Sequence, residues 1–185
     1  MAKKDFTTDW LTAFESKWHN ILQDLVGGGQ YLEVGAYEGR SACFIAASYP
    51  LAELTVVDNF VDNYNEGFEK RYLNNTAEYR DRITTIKGDS KDVLPRLLLK
   101  RQHYDVIYID GAHDYETVKR DLEYCWKMLR PGGTLLMDDY NDTLRDNPFK
   151  FGVDQAVHEF FRDRVDFTVL SDVDTDYQFY VRKNG

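Results

Sequence analysis

Tyr31-Leu32-Glu33-Val34-Gly35-Ala36-Tyr37-Glu38-Gly39-Arg40-Ser41 is an apolar run that carries an acid and passes into closely spaced glycines. Such a run describes a strand that turns sharply into a helix, and the turn reads as a cofactor site. Glycine at 35 and 39 lets the backbone approach a bulky ligand with no Cβ in the way, and a helix beginning near Arg40 points unpaired N–H groups toward it. The spacing, Glu-x-Gly-x-x-x-Gly, is not the Gly-x-Gly-x-x-Gly of dinucleotide binders, whose first glycine would stand at Glu33. An acid there suits a ligand bearing a positive charge, such as an amino group, better than a pyrophosphate.

On the N-terminal side of this turn, Trp10, Leu11, Phe14, Trp18, Ile21, Leu22 and Leu25 recur at helical spacing after Thr8 or Asp9 as N-cap, until Gly27-Gly28-Gly29. On its C-terminal side, β-type runs occupy 30–35, 53–57, 82–87, 104–109 and 133–138, with helical segments between them. That alternation predicts a parallel α/β sheet. The clearest helix has Asp114 as cap, an apolar stripe of Tyr115, Val118, Leu122, Cys125, Trp126 and Leu129, and Arg130-Pro131-Gly132-Gly133 to close it. Val153, Ala156, Val157, Phe160 and Phe161 mark another. Residues 166–171 and 176–182 then alternate around Asp172-Val173-Asp174-Thr175, predicting a hairpin with an antiparallel strand. The expected fold is α/β, a Rossmann-like doubly wound, mainly parallel seven-stranded sheet with that hairpin at its C-terminal end. One domain spans 1–185, with a helix and Gly-rich linker over 1–29 and the core over 30–185.

With 185 residues, 43% of them apolar, the chain can bury one core, and no stretch is apolar enough to span a membrane. The N-terminus lacks the apolar segment of a secretory signal, and Cys43 and Cys125 lie in predicted helices without metal-ligand spacing, which makes the cytoplasm the expected compartment. A net charge of −9 weighs against broad capture of nucleic acid or an anionic membrane. Small neutral or cationic partners are expected instead.

Ligands of an open parallel sheet bind beyond the carboxyl ends of its strands, where strand order reverses. Acids gather at those ends. Glu33 ends the first predicted strand and Asp58 the second, Asp89 follows the third, Asp110 ends the fourth, and Asp138 and Asp139 end the fifth. Each alone reads equally well as a strand-end or capping carboxylate, but five successive strands ending in acid predict a shared site. Asp58 is placed to accept the hydroxyls of a ribose. Asp89 and Ser90 open the next helix, where they could meet a purine edge or simply cap. Neighbouring strands stand about 4.8 Å apart, so carboxylates ending two of them can converge on one hard cation with ligand distances of about 2.0 to 2.1 Å.

Over nearly its whole length the chain resembles the class I S-adenosylmethionine-dependent methyltransferases. The resemblance is carried, in that family's order and spacing, by the Glu-x-Gly-x-x-x-Gly loop, Val56-Val57-Asp58-Asn59-Phe60, Gly88-Asp89-Ser90, the Asp110 strand, and Leu129-Arg130-Pro131-Gly132-Gly133 leading to Asp138-Asp139. Tyr108-Ile109-Asp110-Gly111-Ala112-His113-Asp114-Tyr115-Glu116 is similar to the small-molecule O-methyltransferases, macrolide-sugar and catechol-type enzymes among them. The resemblance implies that Glu33, Gly35, Ala36 and Gly39 hold the methionine part of S-adenosylmethionine, that Asp58 binds its ribose, and that Asn59 and Phe60 flank its adenine while Asp89 and Ser90 meet the adenine edge. It implies that Asp110, which also faces the cofactor, coordinates Mg2+ or Mn2+ with Asp138 and Asp139, and that His113 is the general base. The implied reaction is in-line transfer of the methyl to the hydroxyl of a small-molecule acceptor.

In the region before the first strand, about 29 residues long, the large additions that cover the acceptor in many relatives are absent. The acceptor pocket is therefore expected to be open, or completed by a second subunit in a homo-oligomer. Residues 140–149 between the fifth strand and the next helix, with Arg145 and Phe149, read as a lid or a surface loop. Asp-Gly-Ala-His stands where base N-methyltransferases carry an Asn- or Asp-Pro-Pro-aromatic motif, which argues against a nucleobase amine as acceptor. Rival readings are a metal-independent methyltransferase, a nicotinamide-dependent oxidoreductase and a non-catalytic cofactor-binding protein.

Overall fold

The computed structural model describes residues 4–61, 67–141, 152–171 and 177–185. The expected turn of the C-terminal hairpin at 172–175 and most of the expected lid, with Arg145 and Phe149, lie outside them. Seven strands form one sheet: β1 (Gln30–Val34), β2 (Glu53–Asp58), β3 (Ile83–Lys87), β4 (Tyr104–Ile109), β5 (Leu129–Met137), β6 (Phe167–Val169) and β7 (Phe179–Lys183). Their order is β3-β2-β1-β4-β5-β7-β6. The first five are parallel, while β7 runs antiparallel between β5 and β6. This is the doubly wound sheet with a C-terminal antiparallel pair that the alternation predicts. The chain winds outward from β1 to β3 and returns to place β4 on the other side of β1. Order reverses between β1 and β4, and the crevice opens there.

Period-2 geometry sends successive strand residues to opposite faces, and both faces are covered. Leu32, Val57 and Ile107 pack beneath α4 (Ser90–Leu99), α5 (Tyr115–Met128) and α6 (Val153–Phe161), through Leu94, Leu122 and Val157 among others. Their neighbours Tyr31, Val56 and Tyr108 face α1 (Glu15–Ile21), α2 (Arg40–Ser48) and α3 (Phe68–Thr76), through Trp18, Ile45 and Tyr72. Burying one such side chain contributes roughly 1.5–3 kcal/mol, so the strands are held from both sides by comparable amounts.

Two local expectations change. The N-terminal helix begins at Glu15, not at Thr8 or Asp9: Asp9 instead accepts the N–H and hydroxyl of Thr12 within a turn. Trp10 remains exposed, its ring 5.3 Å from that of Tyr37. The apolar spacing is shared between this turn, α1 and a 3-10 turn over Gln23–Leu25, each burying its own members. The fifth strand starts at Leu129, directly after α5. Leu129 pairs with Tyr104 and Thr134 with Val106, so the Pro-Gly run bulges out of the ladder, with Arg130 bound to Asp105 at 2.8 Å. α5 itself matches its pattern, with Asp114 accepting the N–H of Thr117. Cys43 and Cys125 are buried free thiols. Among the described residues no helix is long and apolar enough to cross a membrane.

Candidate active site

A cleft of about 1090 Å³ lies over the carboxyl ends of β1 to β5. Gly35, Ala36, Tyr37 and Ser41 line it beside Asp58 and Asn59. The structure gives a reason of its own for glycine at 35 and 39. A Cβ on Gly35 would stand 2.1 Å from the carbonyl oxygen of Asp110, because β1 and β4 meet at the switch point, and its φ of 89° is one that L side chains avoid. On Gly39, which does not line the cleft, a Cβ would press on Tyr72 and Thr76 at 2.9 and 3.0 Å. Close packing of the protein on itself demands both residues.

Glu33 also departs from its expected place. It is fully buried and does not line the cleft; its carboxyl takes hydrogen bonds from Tyr31 Oη at 3.1 Å and from Ser41 Oγ. Burial pushes its pKa up to about 8, and the two hydroxyls only partly oppose that. Glu33 braces the turn from below and reaches the cleft only through Ser41. Asp58 does line the cleft, with both oxygens already engaged: Oδ2 accepts the N–H groups of Ala36 at 2.7 Å and Tyr37 at 3.1 Å, and Oδ1 that of Phe60 at 2.6 Å. An ionised carboxylate has about four acceptor positions, so capacity remains for a ligand. Phe60 turns away, packing on Tyr72 with ring centroids 5.0 Å apart, because a φ of 52° reverses the chain after Asn59.

At the β3 side of the cleft stand Gly88, Asp89, Ser90, Lys91, Thr117, Arg120 and Asp121. Asp89, rather than Ser90, is the N-cap of α4, accepting the Lys91 N–H at 3.0 Å. Ser90 Oγ is turned to Asp121 Oδ1 at 3.0 Å. Burial raises the Asp121 pKa to about 6, against the pull of Ser90 and Arg120.

At the β4–β5 side, the acids form two linked groups. Asp110, His113 and Asp139 offer ligand atoms that all lie within 4.8 Å of one another. His113 Nε2 is 3.0 Å from Asp139 and 3.9 Å from Asp110. Asp138, expected as the third metal carboxylate, does not join this group: its carboxylate accepts from Tyr108 Oη, from Gln178 Nε2 at 3.0 Å and from the Asp139 N–H at 2.9 Å. Adjacent residues at a strand end diverge, and Asp139, with φ of 54°, swings back to His113 while Tyr177 Oη donates to its other oxygen. Tyr108 Oη also reaches Asp110 at 3.0 Å. Burial, and then the Asp110 charge, push Asp138 up to about 7. Burial raises Asp110 against the pull of His113. Burial disfavours the imidazolium of His113, yet the surrounding carboxylates outweigh it and hold its pKa above the ordinary value.

Tyr108, Tyr177 and Asp121, which line the cleft, and Gln178, which meets it only through Asp138, were not legible as site residues, since each takes its place by packing against residues distant in sequence. The N-terminal segment supplies a further wall. Thr8, Asp9, Trp10, Leu11, Ala13 and Phe14 line the cleft, and Phe14 stacks on Tyr177 at 6.3 Å. The segment is anchored by Thr7, whose N–H and hydroxyl donate to buried Glu38 at 2.6 and 2.7 Å. This short stretch thus covers part of the pocket, which was expected to be open or completed by a second subunit.

Residues 32–140 match the sequence family described as a methyltransferase domain. The chain belongs to that methyltransferase-domain family. Among curated proteins it is 28% identical over 117 residues to an uncharacterized protein of Acanthamoeba polyphaga mimivirus, covering 60% of this chain and 52% of that protein. It is 27% identical over 130 residues to ribosomal RNA small subunit methyltransferase B of Shewanella oneidensis, covering 57% of this chain and 28% of that one. The chain therefore spans about half the length of the first relative and less of the second. Its fold is shared with the O-methyltransferase TomG from Streptomyces achromogenes, solved with SAM (TM-score 0.70, 20% identity, 95% of this chain and 82% of that chain). It is shared too with an O-methyltransferase from Bacillus cereus in complex with SAH (0.69, 17%, 98% and 84%). A third is the MycE methyltransferase of the mycinamycin pathway, in complex with Mg, SAH and mycinamycin VI (0.68, 16%, 96% and 51%).

Proposed function

We propose that this methyltransferase moves a methyl group from S-adenosylmethionine to a hydroxyl of a small molecule, in a site that also takes a divalent cation. The observation that carries the reading is the placement of Asp110, His113 and Asp139, beyond the ends of β4 and β5, in the same cleft as the Gly35 turn at the end of β1. The cleft suits the nucleoside cofactor, because Asp58, a carboxylate with spare acceptor capacity, lines it. The carboxylates of Asp110 and Asp139 suit a cation, since they offer the oxygen ligands that Mg2+ and Mn2+ accept, and they leave the role of base to the His113 imidazole beside them.

When bound, the cofactor supplies a sulfonium methyl, and the cation would acidify a hydroxyl beside it. The chain's residues do the remainder. The Gly35 turn and Asp58 fix the donor, Phe14, Tyr177 and Trp10 wall the acceptor, and such positioning supplies most of the rate. His113, oriented by Asp139 through Nε2, takes up the hydroxyl proton on its imidazole. Tyr108 and Gln178 hold Asp138 beneath the site.

The occupation of Asp138 by Tyr108 and Gln178 favours a second reading, in which the His113–Asp139 pair works without a cation. Mycinamycin VI in MycE supports a small-molecule acceptor. The likeness to the ribosomal RNA enzyme covers 28% of that protein, and a net charge of −9 works against capture of a polyanion. Calorimetric titration with S-adenosylhomocysteine, run with Mg2+ and with chelator, tests the reading alongside labelled-methyl transfer to a panel of hydroxyl acceptors. Micromolar binding with chelator-sensitive transfer is expected. Transfer unchanged by chelator would leave the metal-free reading, and no binding would remove both.

A further inference from the structure

Residues 8–11 line the cleft, although little apolar burial holds them there: from residue 4 to residue 14 only Leu11 is buried. A segment with so few buried contacts opens at low free energy unless polar bonds hold it. Those bonds converge on one short stretch, the turn that follows Gly35. The Tyr37 ring meets that of Trp10 at 5.3 Å. The Glu38 carboxylate, 1% exposed, accepts the N–H and hydroxyl of Thr7 at 2.6 and 2.7 Å and is backed by Arg71. Arg40 donates to Thr12 Oγ1 at 3.0 Å and to Glu15 Oε1 at 2.5 Å, and lies 3.7 Å from Asp9. Asn75 ties the same pieces from α3: it donates to the backbone oxygens of Asp5 and Glu38 at 2.9 and 3.0 Å and accepts the Asp5 N–H at 2.7 Å. The segment is fastened to the turn at both ends, with its middle in the wall of the cleft.

We propose that Glu38 and Arg40 are positioning residues that clasp residues 5–15 to the cofactor turn, so that release of the cofactor requires this strap to unfasten. The inference rests on the methyltransferase reading above. Turn and strap line one cleft. A ligand that touches both walls favours the state in which they are joined, and by linkage the bonds that join the walls favour retention of the ligand. The clasp is strong at Glu38 because its departure strips two donors from a buried carboxylate.

Neither Thr7 nor Glu15 lines the cleft, so substitutions there reach the ligand only through the clasp. Stopped-flow release of S-adenosylhomocysteine and hydrogen exchange of residues 5–14 test the proposal on the wild type, Thr7→Val, Thr7→Ser and Glu15→Ala. Loss of one hydrogen bond to a charged group shifts an equilibrium by a factor of roughly 10 to 100. Thr7→Val should therefore release the ligand at least about 10-fold faster than the wild type and exchange these amides faster by a similar factor. Glu15→Ala should do the same, and Thr7→Ser, which keeps the hydroxyl, should restore both rates. Bound S-adenosylhomocysteine should slow the exchange of residues 5–14 in the wild type. Faster exchange with release at the wild-type rate would make the clasp a structural tie only; that result, or Thr7→Ser behaving like Thr7→Val, or exchange that ignores the ligand, overturns the inference and leaves the cofactor reading intact. Failure of the wild type to bind S-adenosylhomocysteine overturns both.

Discussion

Glu33→Gln is the substitution whose outcome the structure fixes most closely. In the folded protein the Glu33 carboxyl is fully buried between Tyr31 and Ser41, and its pKa rises from 4.5 to about 8. Unfolding returns it to water and to the ordinary value. Between those two pH values the folded chain binds a proton that the unfolded chain has lost, so stability falls as pH rises through this window. At about 1.36 kcal/mol per pKa unit, the cost at pH 8 and above is on the order of 5 kcal/mol. The amide of the glutamine variant has the same shape as the carboxyl, carries no charge, and can pair with both hydroxyls. Urea unfolding of the metal-free protein from pH 5 to 8.5 should therefore give nearly equal stabilities at pH 5 and a variant several kcal/mol more stable at pH 8.5. Asp138 and Asp121, raised to about 7 and 6, tilt both curves alike, so the difference between them isolates Glu33. Parallel curves would refute the argument, and so would a variant less stable than the wild type at pH 8.5.

Gly35→Ala places a methyl 2.1 Å from the Asp110 carbonyl; a loss of at least about 3 kcal/mol in denaturant unfolding is expected, and a loss under about 1 kcal/mol would show that β1 and β4 can part. His113→Ala should lower methyl transfer by roughly 10²- to 10⁴-fold with S-adenosylhomocysteine affinity within a few-fold of wild type by calorimetry. Equal losses in both would make His113 a structural residue only.

The elements of the sheet were legible because their signals are local. A strand buried on both faces reads as an apolar run, the Asp114 cap and α5 stripe repeat every turn, and a glycine pair after an acid marks the strand-to-helix turn. The acids were legible as a group because each ends a strand, and parallel strands end on one side. Their individual roles were not. Glu33 and Phe60 point away from the cleft, and Asp138 pairs with Tyr108 and Gln178 while His113 takes its place beside Asp110 and Asp139. Backbone torsions at Phe60 and Asp139, both with positive φ, make those choices, and no residue type announces them.

By itself the sequence determined the alternation of strands and helices, the doubly wound sheet and the row of acids at its strand ends, since periodicity and caps need only neighbours along the chain; the order of the strands, which puts the switch point between β1 and β4, came from the tertiary structure. Tertiary structure alone decided which carboxylates face the cleft, that residues 8–14 wall it, and that Asp121 and Arg120 close its β3 end. Those outcomes depend on side chains that meet from distant segments: Glu38 with Thr7, Asp138 with Gln178, and Ser90 with Asp121. Burial and the hydrogen bonds that compensate it are properties of such meetings.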